Sequence, residues 1–270
     1  MMTLVPQGGL CNRMRAMNSA FAFAAHVPID LEIIWCKDTT LNCSLSELFT
    51  LSPETCRVTE FDLNTRAGRF AFATRRWLYR ARQKKWINQN ILFDLDLFDE
   101  KLLQDIKLTG CYLETYSSFF INPSPFSNLN LTEEIQETVD AYSIHLSNAV
   151  GIHIRRTDNE SSILNSPSMM FQEAMGQELD LDPNVIFYLA TDSPEEEMFF
   201  KEVFPNNIVC HKKTSYDRND PKAIRDALID LYCLANCRKL IGSYWSSFTD
   251  TASEIRGIDK QVIAAREEIS

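Results

Sequence analysis

Short β-rich apolar runs alternate with amphipathic stretches of helical spacing along most of the chain, with glycine, proline and polar clusters between them. Residues 2–5 read as a strand, followed by Gly8-Gly9 and a helical pattern over about 12–25. Residues 31–35 read as a second strand, 44–49 as a short helical piece and 108–116 as a further strand. The pattern over 57–107 is blurred. Pro123 and Pro125 break the chain before a helix over 132–146 capped by Thr132. The second half is cleaner: strand 149–154, an irregular stretch, helix 168–178, strand 185–190, an acidic helix start, strand 207–210, helix 221–237, strand 239–242, and a helix opened by 243–249. Strand and helix in alternation predict a doubly wound parallel sheet, with a domain boundary near 140: residues 1–140 and 141–270.

Strand 149–154 organises the rest. Side chains alternate across a strand, so Val150, Ile152 and Ile154 face one way and Gly151, His153 and Arg155 the other. Ligands of open parallel sheets sit beyond the carboxyl ends of the strands. Arg155 and Arg156 fall there, and planar guanidinium forks suit a diphosphate. The competing reading is an incidental salt-bridging pair.

Length and composition narrow the classes. The 270 residues suit two domains, and 45% hydrophobic content supports sizeable cores. A net charge of −10 argues against general nucleic-acid binding. No run is long and apolar enough for a membrane span and no signal peptide is evident. The eight cysteines form no CxxC pair and no zinc-spaced cluster, and read as reduced thiols of a cytosolic protein. Against the acidic whole, residues 75–86 carry six basic residues and three aromatics. That stretch is read either as a solvated helix with an aromatic core face or as a peripheral contact with an anionic membrane surface.

Further candidate groups lie near the expected strand ends. Gly8-Gly9 makes a turn that backbone can bring close to a ligand, with Asn12 and Arg13 at the helix start, facing the cleft. Ser246 and Ser247 open a helix, where unpaired N–H groups and the dipole favour an anion, or else they cap it. Asp230 lies at the edge of an apolar stripe and wants a donor; a guanine base offers two, and a structural ion pair with an arginine is the plain alternative. Asp192, after strand 185–190, either orients Arg155 or caps the next helix. His153 shares the Arg155 face.

These residues also carry a family resemblance. Gly151-Ile152-His153-Ile154-Arg155-Arg156-Thr157-Asp158 resembles the first motif of the GDP-fucose-dependent fucosyltransferases forming α1,2 and α1,6 linkages, with protein O-fucosylating relatives. Residues 187–194 look like the second motif; 228–231 with 240–248 look like the third, and 8–13 like the N-terminal loop. Order and spacing are closest to the α1,6 group. The resemblance implies a GT-B fold, two Rossmann-like domains facing a cleft, with an acceptor domain first and a nucleotide domain second. It implies inverting, metal-independent transfer of fucose from GDP-β-L-fucose to a glycan, perhaps lipid-linked, with no further cofactor. Arg155 would neutralise the leaving diphosphate, joined by Arg156. His153 and Asp230 would hold guanine. Ser246, Ser247 and Phe248 would hold phosphate and ribose, Asp192 would support Arg155, and Asn12 and Arg13 would reach the donor. The Glu expected as base in the α1,6 group is replaced here by Ile163, which leaves Asp158 and Glu160, or Glu114, as candidates. A bacterial, cytoplasmic enzyme at the inner membrane face is the resulting expectation. Its rivals are a GT-B transferase of another nucleotide sugar and a non-catalytic nucleotide-sugar or glycan binder.

Overall fold

The structure is a computed structural model that describes residues 1–82, 85–157, 159–217 and 219–265. The chain divides into two compact units, residues 1–132 with 218–224, and residues 133–217 with 225–270. Each unit is built on its own five-stranded sheet.

The first unit runs β1 (Met2–Pro6), α1 (Leu10–His26), β2 (Leu31–Lys37), β3 (Phe49–Thr50), β4 (Arg57–Asp62), α2 (Arg66–Arg82), β5 (Lys85–Ile87), α3 (Gln89–Asp94), α4 (Glu100–Thr109), β6 (Cys111–Thr115) and β7 (Asn130–Leu131). Its sheet is parallel in the order β4-β2-β1-β6-β5, and β3 and β7 form a small antiparallel pair. Strand order reverses beside β1, so the glycine turn that follows β1 stands at a switch point of the sheet. Gly8 takes φ 79° there, a backbone state that L side chains resist. The segment left blurred by its sequence contains β4, α2, β5, α3 and most of α4. Residues 108 and 109, expected as strand, are the last turn of α4. Gly110 at φ 74° ends that helix before β6 starts.

The second unit runs α5 (Glu133–Ser143), β8 (Val150–Ile154), α6 (Glu160–Asn165), α7 (Ser168–Leu181), β9 (Phe187–Thr191), α8 (Pro194–Val203), β10 (Ile208–Val209), α9 (Pro221–Ala235), β11 (Lys239–Ser243), α10 (Ser247–Arg256) and β12 (Lys260–Ile263). The opening turn of α9 belongs to the first unit. The sheet is parallel in the order β10-β9-β8-β11-β12. The chain fills one side of β8, then crosses to the other with β11, which puts the switch point between β8 and β11.

The alternation expected of β8 holds. Val150, Ile152 and Ile154 enter a core with Phe171, Met175, Phe187, Leu189 and Phe200. Gly151 faces the opposite way, where a Cβ would stand 3.0 Å from Leu234 Cδ2. The irregular stretch after β8 proves to contain the short helix α6, whose N-cap is Asn159. None of the eight cysteines is in a disulfide.

Candidate functional site

At the carboxyl ends of β8, β9 and β11 the second unit gathers most of its expected site residues. Arg155 leaves β8 with its backbone N–H donating to Ser243 Oγ at 3.0 Å. Its Nε lies 3.2 Å from Asp192 Oδ2, and about a fifth of the side chain is exposed. Asp192 also accepts from the Arg156 N–H at 2.7 Å and from the Thr157 hydroxyl at 2.7 Å. It is thus a clamp on the turn after β8 as well as the partner of Arg155.

Arg156 points elsewhere. Its Nε donates to Glu196 Oε1 at 2.7 Å and its NH2 to Ser168 Oγ at 3.0 Å, while NH1 closes on the Arg155 carbonyl. Its guanidinium lies 5.9 Å from the Phe171 ring centroid. Arg156 is tied into the fold by these side-chain bonds, as the salt-bridge alternative expected, while Arg155 is paired with Asp192.

His153 is buried and pinned from two sides. Its ring stacks on Phe248 at 4.6 Å and 21°, and Nδ1 is 2.8 Å from Thr249 Oγ1. Gly242 makes this possible. It pairs in register with His153, and a Cβ on it would lie 2.3 Å from Thr249 Cγ2, so only glycine lets α10 come this close. Burial and the nearby Arg155 charge push the His153 pKa down to about 3, so the imidazole is neutral.

Ser246 caps α10, yet its side chain makes no capping bond. The first N–H groups of this ten-residue helix open at the same end of the sheet as Arg155. The turn before Ser246 is held under strain. Trp245 takes φ 52°, a left-handed state that bulky residues avoid. Asn159 Nδ2 donates to the Trp245 carbonyl at 2.8 Å, Ser162 Oγ to the Tyr244 carbonyl at 2.6 Å, and the Tyr244 N–H to Ser166 Oγ at 2.8 Å. These bonds fix the backbone of the turn, and Trp245 is left 74% exposed. The sequence reading missed Thr249, Ser243 and Trp245 as site residues. A tryptophan immediately before a Ser-Ser helix start was the available signal.

Asp230 is a correction. It does not wait for a ligand donor: Tyr188 donates its hydroxyl to Oδ1 at 2.7 Å, and Lys213 Nζ is 3.0 Å from Oδ2. The ion-pair alternative holds, with a lysine in place of the expected arginine. Burial raises the Asp230 pKa, opposed by Lys213 and Tyr188. Arg13 is a second correction. Expected to face the cleft, it is fully buried in the first unit. Its donors reach the Gly8 carbonyl at 2.7 Å, the Cys36 carbonyl and Asp38 Oδ2 at 2.8 Å, and it lies over the Trp35 ring. It braces the glycine turn against β2. Asn12 is half-buried in the first turn of α1.

Among the base candidates, Glu160 is exposed in the first turn of α6, and Ile163 is exposed on the same helix. Glu114 is held by Arg76 at 2.8 and 3.1 Å and by the Tyr112 hydroxyl at 2.9 Å. Asp158 lies outside the described residues. Among the described residues no three His, Cys, Asp or Glu side chains cluster as a cation site, and no helix is long and apolar enough to cross a membrane.

Two parallel α/β units with a switch-point site define the class: an α/β protein of GT-B fold. Solved structures of that fold match it over nearly the whole chain. NodZ α1,6-fucosyltransferase of Bradyrhizobium, soaked with GDP-fucose, is 19% identical, with 94% of this chain and 92% of that one covered and a TM-score of 0.58. POFUT1 in complex with GDP is 12% identical, with 98% of both chains covered and a TM-score of 0.59. A substituted Arabidopsis thaliana FUT1 in complex with GDP is 13% identical, with 99% of this chain and 70% of that one covered and a TM-score of 0.61. At these identities the likeness is one of fold. No protein-family model and no curated protein sequence matches the chain.

Proposed function

We propose that the chain is an inverting glycosyltransferase that moves fucose from GDP-β-L-fucose to a glycan, with the donor held by the second unit and the acceptor by the first. The observation that carries the reading is the placement of Arg155 beside the start of α10, at the switch point of the sheet. In this reading the acceptor hydroxyl attacks the anomeric carbon, the bond from that carbon to the phosphate oxygen breaks, and GDP departs. Negative charge grows on the diphosphate, where Arg155, the Ser246 and Ser247 hydroxyls and the α10 N–H groups stabilise it. Phe248, stacked on the neutral and buried His153, offers a flat uncharged contact to the nucleoside. Glu160 or Asp158 takes the proton of the acceptor hydroxyl. The cation work is assigned to side chains, so the reaction proceeds in chelator.

Release of GDP from GDP-fucose, followed in chelator with and without a panel of chito-, N-linked and lipid-linked oligosaccharides, tests the reading. Acceptor-stimulated release supports it. Stimulated release from a UDP-sugar and none from GDP-fucose would replace it with a transferase of another donor. Tight binding of the donor without turnover on any acceptor favours a non-catalytic binder.

A further inference from the structure

Helix α2 has an unusual outward face. Its docked side is formed by Phe72, 5.5 Å from Phe61, and by Tyr79, whose ring lies 6.0 Å from Tyr112 and whose hydroxyl donates to Glu32 at 2.5 Å. At 100° per residue the opposite side carries Ala67, Phe70, Ala73, Trp77 and Ala81, an apolar stripe that begins beside Arg66 and is interrupted by Thr74. All five are exposed, Phe70 by 76% and Trp77 by 66%. A surface helix ordinarily turns its polar side to water; this one turns small and aromatic residues outward.

The flanks of the stripe are basic. The helix contains six arginines and no acidic residue in a chain of net charge −10. Arg69 flanks the stripe on one side, with NH1 on the Leu63 carbonyl; Arg75 and Arg82 flank it on the other, and Arg66 opens the helix at its edge. Arg75 gives its Nε donor to the Tyr79 hydroxyl at 3.1 Å and lies 3.8 Å from Glu32, while nearly half of its side chain remains exposed. Arg76, by contrast, is committed to Glu114.

We infer that α2 is a membrane-surface helix, which lays Phe70 and Trp77 into the headgroup region of an anionic bilayer with its arginines at the phosphates. Charge selects this occupant. A second copy docked through the same face would bring two arginine-rich helices together, whereas an anionic surface neutralises them. The rest of the acidic chain is repelled by such a surface, so the contact is confined to this helix. The inference goes beyond the proposed transfer reaction and does not depend on it.

Co-sedimentation of the full chain with vesicles tests it without any activity measurement. The chain pellets with phosphatidylcholine vesicles that contain phosphatidylglycerol, releases when salt is raised, and does not pellet with pure phosphatidylcholine. Phe70→Ser with Trp77→Ser abolishes the binding while thermal melting is unchanged, because both rings are largely in water. Arg66→Gln with Arg82→Gln weakens it by about 25-fold, near fivefold per arginine. Failure of the unsubstituted chain to bind mixed vesicles would overturn the inference, as would equal binding to both vesicle types. A dimer that the Phe70 and Trp77 substitutions dissolve would reassign the face to a second copy.

Discussion

Arg155 and Asp192 meet at 3.2 Å across the carboxyl ends of two adjacent strands, and the carboxylate also clamps the backbone of Arg156 and the hydroxyl of Thr157. Arg155 is thereby aimed by a neighbour that does not need it to hold the turn. Arg155→Ala leaves Asp192 its other two partners and so leaves the fold in place. The proposed fucosyl transfer falls by about 10²–10³-fold, the scale for loss of one preorganised charged donor. Arg155→Lys recovers only part of it, because the fork is lost while the charge remains. A fully active Arg155→Ala protein would remove the residue from the mechanism.

Lys213 and Asp230 form a pair that water barely reaches. Removal of one partner leaves a buried charge, which costs about 3–5 kcal/mol. Lys213→Met is therefore strongly destabilising in denaturant titration, and adding Asp230→Asn restores much of the loss. If the double variant were no better than the single one, the pair would not be coupled as drawn.

The acid side of the stability profile reports on His153. Its folded pKa lies near 3, below the ordinary histidine value, so protons bind preferentially to the unfolded chain. The stabilisation is fully present above about pH 6.5 and is lost as pH falls toward 3. From about pH 6.5 to 5.5 this single group removes about 1 kcal/mol. His153→Gln flattens that part of the curve, as seen by chemical denaturation at stepped pH. Identical slopes for the two proteins would show that His153 does not carry the linkage.

Trp245 stores backbone strain that its exposed indole does little to offset. Asn tolerates the left-handed state, so Trp245→Asn raises stability by about 1 kcal/mol. The same change lowers the proposed transfer, since the strained turn leads directly into Ser246 at the start of α10. A fall in melting temperature would show that the indole is an important packing contact.

Legibility of the sequence tracked how far local pattern agreed with tertiary environment. In β8 the alternation of Val150, Ile152 and Ile154 with Gly151 and His153 was the same thing as the two faces of a buried strand, and it was readable. Helix α2 was read only in its second half: the stretch 75–86 was expected as helix, but α2 starts at Arg66, where apolar positions fall on two sides and no single stripe stood out, and residues 85 and 86 belong to β5. Leu108 and Thr109 read as strand because the apolar run continues through Gly110, whose left-handed φ ends a helix there. Arg13 read as a ligand residue because charges are ordinarily placed at the surface. Its burial depends on the Cys36 carbonyl and Asp38, more than twenty residues away. Asp230 misled for the same reason: Tyr188 and Lys213, distant in sequence, supply the donors it lacked locally. Motif order brought Arg155, Asp192 and Ser246 to one end of the second sheet, and long-range pairing decided which candidates are tied into the fold.

The most direct test is calorimetric titration of the purified chain with GDP, GDP-fucose and UDP in the presence of chelator. The account predicts binding of both guanine nucleotides, weaker or absent binding of UDP, and loss of GDP binding in Arg155→Ala. Absence of any nucleotide binding, or preference for UDP, would contradict it and return Arg155 to the role of a salt-bridge partner of Asp192.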